Sequence, residues 1–218
     1  MKALFISIGV FALLISTSET ARAICNNLVA VGDSITAGND KYPTLIASSL
    51  RSHAFNQAFG GSRWSDLAAR AAEEVDPKLN PPSDCRNPYL ILFAGTNDMV
   101  TRTATQTFTD FRTYISARIS AGWNPGKMIV VTMLPRFQIK DSDRNEYNNA
   151  LISGAATYGY ILARVDRDPS VGCEGCETNK RFYEDGVHPT VIGQQVLANI
   201  ICHAMNLQAP ATCPSYPR

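Results

Sequence analysis

"LVAVGDSITAGN" (residues 28–39) begins as an unbroken apolar run and changes character at Gly32, where Asp33, Ser34 and Thr36 follow. A short strand without polar alternation is one buried on both faces, which is the habit of parallel sheets covered by helices on either side. A serine at the end of such a strand has two readings. It caps a helix that starts there, or it is a nucleophile held at the edge of the sheet, and choosing between them requires partners elsewhere in the chain.

Working outward, the same pattern recurs. Apolar strands are predicted over Leu28–Val31, Ala54–Asn56, Tyr89–Ala94, Lys127–Met133 and Tyr160–Val165. Between and after them, helical spacing covers Tyr42–Ser52, Ser65–Val75, Thr107–Ala121, Ser142–Tyr158 and Thr190–Met205. Strands alternating with helices imply a three-layer α/β/α sandwich around a five-stranded parallel sheet. The natural order for five strands is the flavodoxin-like 2-1-3-4-5. Ligands of such sheets bind beyond the carboxyl ends of the strands, where the winding reverses, here between the first and third strands.

Polar motifs fall at those strand ends. "GDSIT" (32–36) follows the first strand, "NQAFGGS" (56–62) the second and "GTND" (95–98) the third, while "DGVHP" (185–189) precedes the last helix. A serine hydroxyl becomes a useful nucleophile when an imidazole takes its proton and a carboxylate orients that imidazole. Of the three histidines, His53 precedes the second strand and His203 sits in the last helix beside Cys202. His188 alone shares a loop with a carboxylate three residues away, Asp185, a spacing that lets one loop present both. Oxyanion donors are then expected from the Ser34 N–H, the Gly61 N–H and the Asn97 side-chain amide, aided by a helix starting just after Ser34. Glycine at 61 is expected because a side chain there would crowd a backbone group that approaches substrate.

These four blocks, in this order, resemble the SGNH hydrolases, also called the GDSL esterase/lipase family. The resemblance puts Ser34 in the nucleophile position, Gly61 and Asn97 in the glycine and asparagine positions, and Asp185 and His188 in the last block. One departure is Ala58, where family members often carry glycine. Position 36 is threonine, so a G-x-S-x-G elbow is not present. The resemblance implies a serine esterase acting through an acyl-enzyme on small-molecule or carbohydrate esters, short acyl groups such as acetyl on carbohydrate among them, with no metal or organic cofactor. An acyltransferase with the same triad and a non-catalytic carbohydrate-binding module on a hydrolase scaffold stand as alternatives. Trp64 is read as a core residue at a helix start, and Asn39, Asp40 and Lys41 as a solvated loop.

The first 23 residues read as a cleaved signal peptide: Lys2, the apolar run Ala3–Ile15 and a small-residue ending at Ala21-Arg22-Ala23. That run is too short for a stable membrane span. The remaining 195 of the 218 residues, 24–218, suit a single hydrolase domain that is secreted or periplasmic, with no formal net charge once Lys2, Glu19 and Arg22 are gone. No basic face points to nucleic acid. Six cysteines behind an export signal favour disulfides. Their connectivity is open; the expected pairs are Cys25–Cys85, Cys173–Cys176 and Cys202–Cys213, the first because both residues precede strands expected to be neighbours. "CEGC" (173–176) also has the form of a zinc half-site or a redox dithiol. Oligomeric state is left open by the sequence.

Overall fold

The computed structural model describes residues 27–80, 88–205 and 213–215 of the protein. The expected leader lies outside the described residues, as do Cys25 and Cys85. Five strands, β1 (Leu28–Gly32), β2 (Ala54–Asn56), β3 (Tyr89–Phe93), β4 (Met128–Val131) and β5 (Ile161–Ala163), alternate with α1 (Tyr42–Leu50), α2 (Trp64–Glu74), α3 (Ala104–Ser120), α4 (Asp141–Tyr158) and α5 (Val191–Ala204). All strand pairs are parallel and the order is β2-β1-β3-β4-β5. Gly32 sits level with Phe93 in the β1–β3 register. The loops after those two strands therefore leave the sheet side by side, at the point where the winding reverses.

The strands carry no polar alternation because each face of the sheet has its own apolar layer. Leu28, Ile91, Phe93 and Ile129 pack with Tyr42 and Ile46 of α1 and Val196, Leu197 and Ile201 of α5. Val29, Val31, Leu90 and Leu92 pack with Trp64 of α2, Phe111 and Tyr114 of α3, and Tyr147 and Leu151 of α4. Burying a side chain of this kind contributes about 1.5–3 kcal/mol.

Element boundaries moved for local reasons. α3 begins at Ala104, one turn before the expected Thr107. Thr103 accepts the Gln106 N–H at 3.2 Å while Gln106 Oε1 accepts the Thr103 N–H at 3.1 Å, a reciprocal cap that starts the helix there. α1 stops at Leu50 because Arg51 turns left-handed at φ 51°. β4 and β5 are shorter than expected, since Pro125–Lys127 and Val165–Arg167 form single tight turns next to them. Cys173–Cys176 and Cys202–Cys213 are disulfides, with Cα separations of 5.2 and 5.5 Å. The sulfurs of "CEGC" are thus bonded to each other, and the zinc half-site reading gives way. Among the described residues, no helix is long and apolar enough to cross a membrane.

Candidate active site

The turn after β1 is built by its neighbours. A Cβ on Gly32 would lie 2.3 Å from Thr36 Oγ1 and 2.4 Å from the Phe93 carbonyl oxygen, so only glycine fits where β1 meets the end of β3. Asp33, fully buried, accepts the Ile35 N–H on its Oδ1 at 3.0 Å, and its carbonyl accepts the Thr36 and Ala37 N–H groups at 3.0 and 2.9 Å. These bonds close a single turn with Ser34, half-buried, at its crest. The helix expected to start just after Ser34 is absent: the chain bends through Gly38 at φ 115°, and α1 begins at Tyr42. With a single turn in place of a helix after Ser34, the donors expected there are individual backbone N–H groups.

The loop after β2 is bound to this turn. Asn56 Nδ2 donates to the carbonyls of Thr36 and Gly38 at 2.8 and 3.1 Å, its Oδ1 accepts the Ala58 N–H at 3.2 Å, and the Phe59 N–H reaches the Gly32 carbonyl at 3.1 Å. A Cβ on Gly60 would lie 3.9 Å from Ser34 Cβ, which puts the Gly60–Gly61 turn beside the serine. Gly61 has φ 78° with open space around it. That left-handed backbone favours glycine by itself.

After β3, Asp98 is buried and accepts the Trp64 N–H at 3.3 Å, which anchors the start of α2. Trp64 is itself a core residue, as expected. Asn97 Nδ2 donates to the Ser62 carbonyl at 3.1 Å and so lies against the carboxyl end of the glycine turn.

The fourth block reaches the same edge from the far end of the chain. The Glu184 N–H donates to the His188 carbonyl and the Thr190 N–H to the Phe182 carbonyl, both at 2.9 Å, forming a tight loop. Thr190 Oγ1 then accepts the Gly193 N–H at 3.2 Å and starts α5. Asp185 Oδ1 accepts the N–H groups of Val187 and His188 at 2.9 and 2.8 Å, and its Oδ2 pairs with His188 Nδ1 at 2.7 Å. His188 Nε2 lies 2.9 Å from Ser34 Oγ. The structure thus brings Ser34, His188 and Asp185 into one hydrogen-bonded line. His53 and His203 are exposed and take no part in it.

Two residues that sequence reading passed over hold these parts in register. Gln194, buried in α5, accepts the Tyr42 N–H at 2.9 Å and donates to the Ile35 carbonyl at 2.9 Å. It joins the helix that follows His188 to the residue that follows Ser34. Its only signal in the sequence was a polar residue at a position of α5 that faces the core. Arg136, on the loop after β4, donates to the Thr96 carbonyl at 3.3 Å and to Asn97 Oδ1 at 3.4 Å, and no spacing in the sequence marked it.

Electrostatics divide the carboxylates. Burial pushes Asp33 up to about 6, against the Ile35 hydrogen bond and the nearby charges of His188 and Arg136, which favour ionisation. Burial also raises Asp98 to about 6. Asp185 goes the other way: partial desolvation raises it, but the hydrogen bonds from His188 and Val187 prevail and hold it at about 2. Phe59, Val100, Phe137 and Val191 are the exposed large apolar side chains among the described residues. Of these, Phe137 lies beside Gly186 of the His188 loop, and Phe59 carries the Arg70 guanidinium over its ring at 3.0 Å.

The chain matches the model of the GDSL-like Lipase/Acylhydrolase family over residues 30–196. No curated protein sequence matches it. Among solved structures, it is similar to the acetyl xylan esterase AlAXEase (21% identity, 82% of this chain and 98% of that one, TM-score 0.64). It is also similar to a mutant acetyl-xylooligosaccharide esterase from Geobacillus (16% identity, 84% and 95%, TM-score 0.64). A lipase/acylhydrolase from Enterococcus faecalis is a third (18% identity, 82% and 94%, TM-score 0.64). These likenesses bear on the fold alone, whereas the family match runs from β1 into α5 and spans every loop described above. The chain belongs to the GDSL-like Lipase/Acylhydrolase family and is, with it, a carboxylic ester hydrolase.

Proposed function

We propose that the protein is an exported serine esterase in which Ser34 is the nucleophile, His188 the general base and acid, and Asp185 the group that orients His188. The observation that carries this reading is the line Ser34 Oγ–His188 Nε2–His188 Nδ1–Asp185 Oδ2, with steps of 2.9 and 2.7 Å between side chains. Asp185, ionised at any pH well above 2, accepts from Nδ1 and leaves Nε2 free to accept the Ser34 proton.

Ser34 Oγ attacks the ester carbonyl carbon as His188 Nε2 takes its proton. The oxyanion is held by the Ser34 N–H, the Gly61 N–H and Asn97 Nδ2. Collapse breaks the acyl–oxygen bond, and the imidazolium returns the proton to the departing alcohol. Water then attacks the acyl-enzyme, giving its proton to Nε2, and the second collapse restores Ser34 with that proton. Loss of one oxyanion donor costs about 10²–10³ in turnover.

The substrate we propose is a short acyl ester, acetyl on carbohydrate being the favoured case. Two similar structures are named for acetylated xylan and xylooligosaccharide, and the exposed Phe137 ring beside Gly186 offers an apolar surface to a neutral sugar ring or a small acyl group. Cleavage of the leader after Ala23 and export to an oxidising compartment fit the two disulfides. The test is a panel of 4-nitrophenyl esters of increasing acyl length together with acetylated xylan, assayed with wild type and Ser34→Ala. Wild type should favour the shortest acyl groups and release acetate from xylan, and Ser34→Ala should be inactive on all of them. Hydrolysis surviving in Ser34→Ala would reject the assigned nucleophile, and a preference for long chains would reject the substrate class.

A further inference from the structure

Arg136 belongs to none of the four sequence blocks, yet its loop touches two of them. Its Nη1 donates to the Thr96 carbonyl and to Asn97 Oδ1, while Nε and Nη2 hold Gln138 Oε1 at 3.1 and 2.6 Å. The next residue turns the other way: the Phe137 N–H donates to the Gly186 carbonyl at 3.4 Å, between Asp185 and His188. The segment is pinned at one end to the loop of Asn97 and at the other to the loop of His188.

An asparagine donates to an oxyanion only if its nitrogen, not its oxygen, faces the substrate. Asn97 is constrained at both ends, since Nδ2 gives a hydrogen to the Ser62 carbonyl and Oδ1 receives Arg136. A flipped amide would set Oδ1 against a carbonyl oxygen and an N–H against a cation, both repulsive. The guanidinium also draws electron density toward Oδ1, which makes the remaining Nδ2 hydrogen a stronger donor. At 3.4 Å the contact is a long one in the resting enzyme. Negative charge building opposite Nδ2 makes Oδ1 a better acceptor, so the benefit falls on the transition state rather than on substrate binding.

We propose that Arg136 is a positioning residue for ester hydrolysis: by donating to Asn97 Oδ1 it fixes and polarises the amide whose Nδ2 serves the oxyanion. The proposal rests on the reading of Asn97 as an oxyanion donor. Arg136 also feels the charges of Asp33 and Asp185, which offers a competing route for any effect of its removal.

A double-mutant cycle separates these routes. Steady-state hydrolysis of 4-nitrophenyl acetate is measured for wild type, Arg136→Ala, Arg136→Lys, Asn97→Ala and the Arg136→Ala/Asn97→Ala pair, with thermal unfolding to verify that each is folded. Arg136→Ala should lower kcat about tenfold with KM within about twofold, since only part of one donor's effect is lost. Arg136→Lys should restore part of that loss, and added guanidinium should restore part of it in Arg136→Ala. In the Asn97→Ala background, removing Arg136 should change kcat by less than about twofold. If Asn97→Ala is impaired as expected but the Arg136→Ala effect persists undiminished beside it, Arg136 acts through other charges and the proposal alone falls. An effect confined to KM would make Arg136 a substrate contact, again overturning it. Full activity in Asn97→Ala would remove the oxyanion reading, and this proposal with it. Should Arg136→Ala not fold, the same cycle run with Arg136→Gln, which keeps the stem without the charge, decides on the same criteria.

Discussion

Two aspartates flank the Ser34–His188 pair, and their surroundings are opposite. Asp33 sits in the turn after β1, 1% exposed, with one oxygen on the Ile35 N–H and no hydrogen-bond partner for Oδ2 among the described residues. Asp185 sits in the loop before α5 with its side chain 55% exposed, yet it accepts three hydrogen bonds, two from backbone N–H groups and one from His188. The first is pushed up to about 6 and the second held at about 2. The comparison teaches that burial does not make a carboxylate a good partner for an imidazole. Directed donors do, and they can do so at the surface. The buried aspartate builds the turn and tilts the local field, while the exposed one holds the imidazole.

That contrast can be broken in three ways. The largest effect is expected at Asp185. Asp185→Asn keeps the shape but removes the charge that favours Nδ1–H, and kcat should fall by about 10²–10⁴. Because Asp185 is half-exposed, its contribution to folding is small. That contribution is present above the ordinary value of 3.8 and is lost as pH falls toward 2. The unfolding midpoint of Asp185→Asn at pH 7 should therefore lie close to wild type. A large loss of stability with intact kcat would reverse the assignment.

Asp33 should behave in the opposite sense. Its folded-state value is raised, so the folded protein is favoured below 3.8, and that advantage is lost as pH rises through about 6. Asp33→Asn should gain stability over wild type as pH rises from 4 to 8, approaching roughly 3 kcal/mol by the shift of about two units. The same substitution removes a negative charge that favours the imidazolium of His188, so kcat at pH 8 should fall about three- to tenfold. Denaturant unfolding across this pH range checks the first part, and a difference that does not vary with pH would contradict it.

The smallest effect is expected at Phe137, 63% exposed, whose ring approaches Gly186 from outside the His188 loop. Phe137→Ala should raise KM about three- to tenfold with little change in kcat, the mark of binding shared by ground and transition states. A fall in kcat at constant KM would instead mean that the ring braces His188.

The strand order and the four polar blocks were legible because both are written locally, as apolar runs and as motifs at strand ends. The convergence of Ser34 and His188 was legible through the pairing of His188 with Asp185 in one loop and through the resemblance of the four blocks to the SGNH hydrolases, not through local pattern alone. What sequence reading missed depends on partners distant in the chain. Whether Ser34 opens a helix or crowns one turn is decided by the carboxylate of Asp33 and the bend at Gly38. Gln194 became meaningful only once α5 lay against Ile35, and Arg136 once β4 lay beside β3. The early start of α3 is set by a local Thr-x-x-Gln cap at Thr103 and Gln106, ahead of where the apolar spacing begins.

The most direct test of the central claim is labelling with a serine-directed fluorophosphonate followed by peptide mapping, in wild type and in His188→Ala. The account predicts a single adduct on Ser34, formed at a rate that drops by orders of magnitude without the imidazole. An adduct on another serine, or one on Ser34 at an undiminished rate in His188→Ala, would contradict it.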